Sequence, residues 1–212
     1  TRRFNLQSII RFFTQGGPVM FIILFALLLG LVIIIERLIV IRFKNRIDSD
    51  TFMNRVGELL KNGDVKGAIQ YCNQSSAALP NIAKEGLMAS HKSPKDIQNA
   101  LEVAAMVEMP KLEKRTHYLA MIANVATLLG LLGTILGLIN AFAAVAHADA
   151  ADKAALLTAG ISIAMNTTAF GIITAIPCLI GYTFILEKTN ELIDEINEKV
   201  ARLYAFLTSR NS

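Results

Sequence analysis

The sequence predicts an all-α integral membrane protein with three transmembrane helices, two of them long and extending into the cytoplasm as a helical bundle. Hydrophobic residues make up 53% of the 212 residues, and the mean hydropathy is +0.47, which are both high values for a soluble domain. Three uncharged runs, residues 18–35, 118–146 and 154–186, contain 18, 29 and 33 residues. Because a helix needs about 20 apolar residues to cross a bilayer, each run is a candidate span.

The amino-terminal segment, residues 1–17, is predicted to lie at the outer membrane surface. We interpret residues 4–15 as an amphipathic helix whose aromatic and aliphatic side chains face lipid, although a frayed tail fits them equally well. Residues 18–41 follow as the first transmembrane helix. No small-residue cleavage site follows the apolar run, so we expect a retained span and not a signal peptide.

The distribution of basic residues predicts how the chain is oriented. Thirteen lysine and arginine residues lie between Arg37 and Arg115, whereas the loop 147–153 has one, Lys153. Cytoplasmic segments close to spans retain positive charge. We therefore expect residues 42–117 and the carboxy-terminal tail inside, and the amino terminus and the loop 147–153 outside.

The cytoplasmic region, residues 42–117, is predicted to be helical throughout. Asn62-Gly63 is a usual helix-ending pair, and Ser93-Pro94 is a usual helix start. We expect the helix that starts there to continue into the second transmembrane helix, residues 118–146, with a kink near Pro110.

The third transmembrane helix, residues 154–186, is predicted to form an antiparallel hairpin with the second, because the polar loop 147–153 between them is short. Residues 187–212 follow as a cytoplasmic carboxy-terminal helix with an apolar stripe, which indicates packing on other helices; a short coiled coil also fits. The stripe consists of Leu186, Ile193, Ile196, Val200, Leu203 and Leu207.

Each helix of the hairpin has one continuous face of small residues. Lipid tails do not drive helices together, so association depends on close packing, which small residues permit. We therefore assign the glycines of these faces to helix packing. They are Gly130, Gly133 and Gly137 in the second span and Gly160 and Gly171 in the third.

Hydrogen-bonding side chains border the two small faces. A threonine in a membrane helix can bond the preceding turn of its own helix, which would explain any one of them. Their number instead favours a polar path through the hairpin. The candidate residues of this ion pathway are Thr134, Asn140, Ser162, Asn166, Thr167 and Thr168.

The two hairpin spans contain no acidic or basic residue. Intramembrane ionisable groups normally mark proton and ion relays, so either the chain conducts nothing or a partner helix supplies the titratable group. The two cysteines, Cys72 and Cys178, form no CxxC pair and have no histidine at metal spacing, so we expect no metal site, disulfide framework or cofactor. The sequence lacks the interleaved aromatic and basic residues that indicate nucleic-acid binding.

Two motifs of the hairpin resemble the MotA/TolQ/ExbB proton-channel family, and the ExbB and TolQ branch in particular. Residues 130–142 are GLLGTILGLINAF, and residues 160–182 are GISIAMNTTAFGIITAIPCLIGY. The first span, QGGPVMFIILFALLLGLVIIIERL, the topology and the helical cytoplasmic extensions agree with the same family. The motifs cover about a fifth of the chain, and their order and spacing make the resemblance specific.

The resemblance implies a multi-pass protein of the bacterial inner membrane, with a periplasmic amino terminus, that assembles as a ring, a pentamer in related proteins. The ring is expected to surround single-span helices of an ExbD- or TolR-like partner that has an aspartate within the membrane. Proton flow past the aspartate would then drive work on a TonB- or TolA-like protein for outer-membrane transport or maintenance. By motif position, Thr134 and Thr168 correspond to the threonines that face the pore.

The sequence departs from the family pattern at one position. ExbB and TolQ usually have a glutamate five residues before the threonine of the third span, where this chain has Ile163. Polar neighbours, namely Ser162, Asn166 and Thr167, are expected to replace part of its role. The coupled ion, proton or sodium, stays open.

Two other functions remain alternatives at this point. One is a stator of a flagellar or gliding motor, although stators of the MotA type usually have four spans, whereas three are predicted here. The other is a passive membrane scaffold whose small faces only organise a complex. An enzyme is not expected, because the sequence has no nucleophile and base set and no metal cluster.

Overall fold

The computed structural model describes residue 13, residues 16–41 and residues 47–210, and within these ranges it is all-α, with no strand. The predicted fold class is confirmed. The amphipathic helix predicted over residues 4–15 lies, apart from Phe13, outside the described residues. The helices whose bounds lie within the described ranges are α1 (Gly17–Ile39), α2 (Ser49–Lys61), α3 (Val65–Cys72), α4 (Ala78–Met88), α5 (Pro94–Glu113), α6 (Thr116–Ala146) and α7 (Lys153–Arg210).

The chain divides into two compact units. The first, which we call the membrane unit, consists of Thr1–Ile35 and Thr116–Thr183; the second, the polar unit, consists of Glu36–Arg115 and Phe184–Ser212. In the part of the chain that the structure describes, three helical stretches, which contain α1, α6 and α7, are long and apolar enough to cross a membrane. The prediction of three spanning helices is therefore confirmed by length and composition.

In the membrane unit, α1 packs against the membrane part of α7. Met20 and Ile23 of α1 are fully buried and form a cluster with Phe170 of α7. Farther along, the Gly30 backbone lies against the Cys178 side chain, where an added Cβ would be 2.6 Å from the sulfur. Small side chains at these contacts allow the helices to approach closely, as membrane packing requires.

In the polar unit, short helices begin at side-chain caps. Asp48 caps α2 by accepting from the backbone N–H of Thr51 at 3.1 Å. Asp64 caps α3 in the same way through Gly67, at 2.8 Å. Such caps satisfy N–H groups that have no partner within the helix.

One apolar core joins the short helices of the polar unit to the end of α7. The tail residues Ile196, Leu203 and Leu207 are buried in this core, so the predicted packing of the tail on other helices is confirmed. An ion pair of 2.6 Å between Lys199 of α7 and Asp50 of α2 adds to this contact. The other large buried members are Phe52, Val56, Leu60, Leu79, Ile82, Leu87, Ile97, Leu101 and Leu112.

The helix predicted to run through Pro110 into the second span is interrupted instead, so that prediction was wrong. Pro110 lies inside α5, which ends at Glu113, and α6 begins at Thr116. Between them Arg115 has a φ of 67°, in the left-handed region that non-glycine residues avoid. That conformation, rather than the proline, stops the helix.

The side chain of Arg115 is bound by Glu36. One Arg115 nitrogen, Nη1, donates to both carboxylate oxygens of Glu36 at 2.7 and 2.8 Å. Arg37, which is 4% exposed, makes longer bonds, 3.3 Å to Glu36 and 3.5 Å to the carbonyl oxygen of Leu112. The carboxylate therefore bonds mainly to a residue distant in sequence, and not only to its neighbour.

Candidate functional site

The hairpin of α6 and α7 brings the two backbones together at glycines. A Cβ added to Gly171 would lie 2.7 Å from the carbonyl oxygen of Ala126 and 3.0 Å from the Cα of Gly130. A Cβ added to Gly130 would lie 3.2 Å from the Cα of Thr168. Since backbone atoms cannot move aside as a flexible side chain can, the helices would have to separate to admit a methyl group.

Three more glycines lie in the same contact. A Cβ on Gly133 would collide with the side chain of Thr167, and one on Gly160 would collide with Ala141. A Cβ on Gly137 would be 3.1 Å from the Cβ of Ala164. All five glycines assigned to packing by the sequence therefore face the other helix of the hairpin.

The threonine hydroxyls are engaged in different ways. Thr168, half-buried, donates across the hairpin to the carbonyl oxygen of Gly130 at 3.1 Å. Thr134, also half-buried, donates at 2.6 Å to the carbonyl oxygen of Leu131 in its own helix. A hydroxyl has one proton to donate but two lone pairs that accept. In this arrangement both side chains can accept another hydrogen bond without losing the one they make.

Thr167 lies inside the hairpin rather than on an open face. It is 0% exposed, it covers Gly133, and its hydroxyl donates to the carbonyl oxygen of Ile163 at 2.9 Å. In the single chain its place is therefore the contact between the two helices.

The remaining polar candidates are more accessible. Asn140 and Ser162 are exposed, and Asn166 is half-buried. Asn140 lines a cavity of about 420 Å³ in the membrane unit together with Gly137, Gly160 and Ile163. Ile163, at the position of the usual glutamate, therefore faces a largely apolar cavity, and the side-chain amide of Asn140 lies at the edge of that cavity.

Thr174 of α7 is a buried polar group outside the set of predicted pathway residues. It is 0% exposed, and among the described residues its Oγ1 has no hydrogen-bond partner. In the sequence it is one of several threonines in the third span, and nothing in the pattern distinguishes it from them.

Two of the three histidines, His117 and His147, flank the second span. His117 lies with its ring centroid 6.2 Å from that of Tyr182, at an angle of 50°. His147 is exposed, and its Nδ1 is 3.1 Å from the carbonyl oxygen of Ala143. Both contacts are local to the ends of the hairpin, which fits interfacial polar residues.

A family model decides the identity of the fold. The model of the MotA/TolQ/ExbB proton channel family matches residues 74–198, more than half of the chain, including all of α6 and most of α7. The chain belongs to this family. MotA/TolQ/ExbB proteins are proton channel components and not a known class of enzymes.

Individual relatives agree with the family. The chain is 26% identical over 189 residues to a putative biopolymer transport protein ExbB homolog of Methanothermobacter thermautotrophicus, which covers 89% of this chain and 67% of that protein. It is 35% identical over 117 residues to the putative biopolymer transport protein ExbB-like 3 of Synechocystis, 54% of this chain and 55% of that protein. The Tol-Pal system protein TolQ of Haemophilus influenzae is 31% identical over 98 residues, 46% of this chain and 42% of that protein. The match therefore spans about half the length of the last two.

A solved structure of C. jejuni MotAB has the same fold. Its TM-score with this chain is 0.66, at 17% identity, over 91% of this chain and 78% of the other. The MotA/TolQ/ExbB architecture thus extends over nearly the whole chain, beyond the region that the family model matches.

Proposed function

We propose that this MotA/TolQ/ExbB protein is the ring-forming subunit, a pentamer, of an ion-driven motor in the bacterial inner membrane. Its partner is an ExbD- or TolR-like protein with one span and an aspartate within the membrane. The observation that supports this most is the absence of any acidic or basic residue in 118–146 and 154–186. A device coupled to ion flow needs an ionisable or liganding group in the membrane, so the partner supplies it.

The hydroxyls of Thr134 and Thr168 suit one protonation state of that aspartate. Each now donates its proton to a backbone carbonyl, so each can accept from the O–H of a protonated carboxyl group. Donating to a charged carboxylate would require giving up the existing bond. The two threonines therefore stabilise the neutral acid, which moves past an apolar wall more readily than the charged form.

Accessible polar groups would meet the charged form. Asn140 and Ser162 are exposed, and both have donors that a carboxylate accepts. Because Ile163 replaces the usual glutamate, an acid at that position takes no part in the transfer. We infer that Asn140 and Ser162, with the half-buried Asn166, solvate the ion where it enters or leaves the partner's aspartate.

The motor would act on a TonB- or TolA-like protein for outer-membrane transport or maintenance. The orientation follows from the basic residues, thirteen between Arg37 and Arg115 against one in the loop 147–153. It places the amino terminus and the loop in the periplasm and the carboxy terminus in the cytoplasm. Labelling a cysteine placed at Ala150 with a membrane-impermeant thiol reagent in intact cells tests this; protection of that cysteine would reverse the orientation.

Ion flux tests the proposed function directly. The chain and the single-span partner are reconstituted in vesicles that contain a pH-sensitive or a sodium-sensitive dye, and an ion gradient is applied. We expect flux that is lost when the partner's aspartate becomes asparagine and reduced in Thr134→Val and Thr168→Val. Thr158→Val is the matched control, because Thr158 is exposed and bonds Ala154 of its own helix at 2.8 Å.

The same vesicles separate the competing interpretations. Response of one dye alone identifies the coupled ion as proton or sodium. Absence of flux with the partner present, in vesicles that contain the assembled complex, would instead support a passive scaffold. Full flux in the double variant Thr134→Val/Thr168→Val would contradict the assignment of the hydroxyls.

A further inference from the structure

A buried cation lies near one end of the apolar part of α1. Glu36 and Arg37 are the first charged residues after the uncharged run 18–35. Arg37 is buried, and its Nε has no hydrogen-bond partner among the described residues. Its bonds to Glu36 and to the carbonyl oxygen of Leu112, at 3.3 and 3.5 Å, are long for a charged donor. The positive charge of Arg37 is therefore poorly compensated.

The carboxylate that could neutralise Arg37 is engaged elsewhere. Both oxygens of Glu36 accept from Nη1 of Arg115, at 2.7 and 2.8 Å. A buried guanidinium needs close acceptors to offset the loss of its hydration, yet the short bonds go to the arginine whose side chain is 47% exposed. An anion that bound Arg115 in place of Glu36 would free the carboxylate to bond Arg37.

Arg115 is accessible to such an anion, and the residues around it leave one positive charge uncompensated. Lys114 is exposed and has no ion pair among the described residues. Glu108 is paired with Lys111 at 2.7 Å, and Glu113 is exposed. Together with Glu36 and Arg37, the group has four basic and three acidic residues.

Exposed apolar side chains lie beside the same charges. Leu38 and Ile39, which follow Arg37 on α1, are 39% and 52% exposed. Their contact with a free phosphate ion would contribute nothing, whereas a phospholipid has acyl chains next to its phosphate. The end of an apolar span is also the depth at which lipid headgroups lie. An accessible arginine beside exposed apolar side chains therefore fits an amphiphile with an anionic head.

We propose that Lys114 and Arg115 bind the phosphate of an anionic phospholipid, and that Glu36 then exchanges from Arg115 to Arg37. A guanidinium pairs with a phosphate through two parallel bonds, and each basic residue next to an anionic membrane surface adds to the attraction. The exchange keeps both arginines paired, because the phosphate neutralises one and Glu36 the other. The site lies within one chain, so it depends neither on the ring nor on the single-span partner.

Thermal unfolding of the full chain in mild detergent tests the site, because a ligand that binds only the folded state raises the unfolding midpoint. Phosphatidylglycerol, phosphatidylcholine and inorganic phosphate are titrated separately. We expect a saturable rise with phosphatidylglycerol, a smaller rise with phosphatidylcholine and none with inorganic phosphate. An equal rise with inorganic phosphate would identify a free anion as the ligand, and an equal rise with phosphatidylcholine would indicate a general effect of added lipid; both results overturn the proposal.

Single substitutions of exposed lysines locate the site. Lys114→Gln should raise the phosphatidylglycerol concentration that gives half of the rise by about fivefold, the factor that one basic residue contributes next to an anionic surface. Lys92→Gln should leave that concentration unchanged and is the matched control, because Lys92 is an exposed lysine between α4 and α5 of the same unit. Equal half-maximal concentrations for Lys114→Gln and the unchanged chain would reject the site.

The exchange of Glu36 predicts tighter binding, which a misfolded variant cannot imitate. Glu36→Gln removes the carboxylate that competes for Arg115, so the half-maximal phosphatidylglycerol concentration should fall severalfold. Arg37→Gln should raise it, because Glu36 then has no second arginine to bond. That increase should vanish in the double variant Glu36→Gln/Arg37→Gln, since the two residues act through one interaction. Unchanged binding in Glu36→Gln, or an effect of Arg37→Gln that persists in the double variant, would contradict the exchange and with it the proposal.

Discussion

The hydroxyl of Thr168 donates a 3.1 Å hydrogen bond across the hairpin to the carbonyl oxygen of Gly130. The bond lies where the two backbones come close together, since a Cβ on Gly130 would be 3.2 Å from the Cα of Thr168. Close packing and the orientation of Thr168, a predicted pathway residue, are therefore linked in this hairpin. The glycine that lets the helices approach also presents the carbonyl that orients the threonine.

Thr168→Val should weaken the hairpin. Valine keeps the shape but removes the donor, and a hydrogen bond between membrane helices contributes roughly 0.6 kcal/mol on average. The free energy of unfolding in mild detergent, followed by increasing denaturing detergent, measures the loss. Thr168→Ser should retain most of the stability, and Thr183→Val, whose hydroxyl bonds Leu179 of its own helix at 3.1 Å, is the matched control. Equal free energies of unfolding for Thr168→Val and the unchanged chain would show that this bond does not stabilise the hairpin.

Gly171→Ala should be more damaging than Thr168→Val. The added methyl group meets the carbonyl oxygen of Ala126 and the backbone of Gly130, so the helices must shift, and such overpacking costs about 1–3 kcal/mol. The same detergent unfolding measurement applies. Ile172→Ala is the control, because Ile172 is the next residue and is 46% exposed. An alanine at 171 that leaves stability unchanged would show that the contact is looser than the structure indicates.

The sequence predicts the small faces but not the directions of the hydroxyls. Small residues repeat with the period of the helix, so Gly130, Gly133 and Gly137 are identified as one face without knowledge of the partner helix. Thr167 and Thr168 are adjacent, and only the register of the hairpin decides that the first is enclosed and the second reaches Gly130. Register depends on contacts between helices, which a single-helix pattern does not contain.

The interruption before the second span could not be predicted for a similar reason. Arginine has no preference for a left-handed backbone, and Pro110 is the stronger local signal. The side chain of Arg115 bonds Glu36, 79 residues away in sequence. A contact so distant in the chain leaves no trace in local propensity.

Two single substitutions of Arg115 should separate the cost of its left-handed backbone from the contribution of its bond to Glu36. Arg115→Ala and Arg115→Gly both lose the bond to Glu36, but only glycine adopts a φ of 67° without steric cost. We expect Arg115→Ala to be less stable than Arg115→Gly by about 1 kcal/mol, the lower end of the left-handed penalty. Chemical denaturation of the full chain compares them, with Lys114→Ala and Lys114→Gly as the matched pair. If Arg115→Gly is no more stable than Arg115→Ala, residue 115 leaves the left-handed conformation once its bond to Glu36 is lost.

Asp48 should make the stability of the polar unit depend on acidity. The carboxylate accepts from the Thr51 hydroxyl at 2.7 Å and from its backbone N–H at 3.1 Å, and these bonds hold the pKa of Asp48 below its usual range. A carboxyl group with a lowered pKa in the folded state stabilises the fold above its ordinary pKa. That stabilisation is lost as the pH falls through the lowered value.

Denaturation of the full chain between neutral pH and about pH 3 therefore checks the cap of α2. Asp48→Asn keeps an oxygen that can accept from the first turn but does not titrate, so the difference in stability between it and the unchanged chain should shrink as the pH falls. Thr51→Val removes the strongest bond and should move the acid transition to higher pH, toward the ordinary pKa of aspartate. A difference that stays constant over the whole range would show that ionised Asp48 does not stabilise the start of α2.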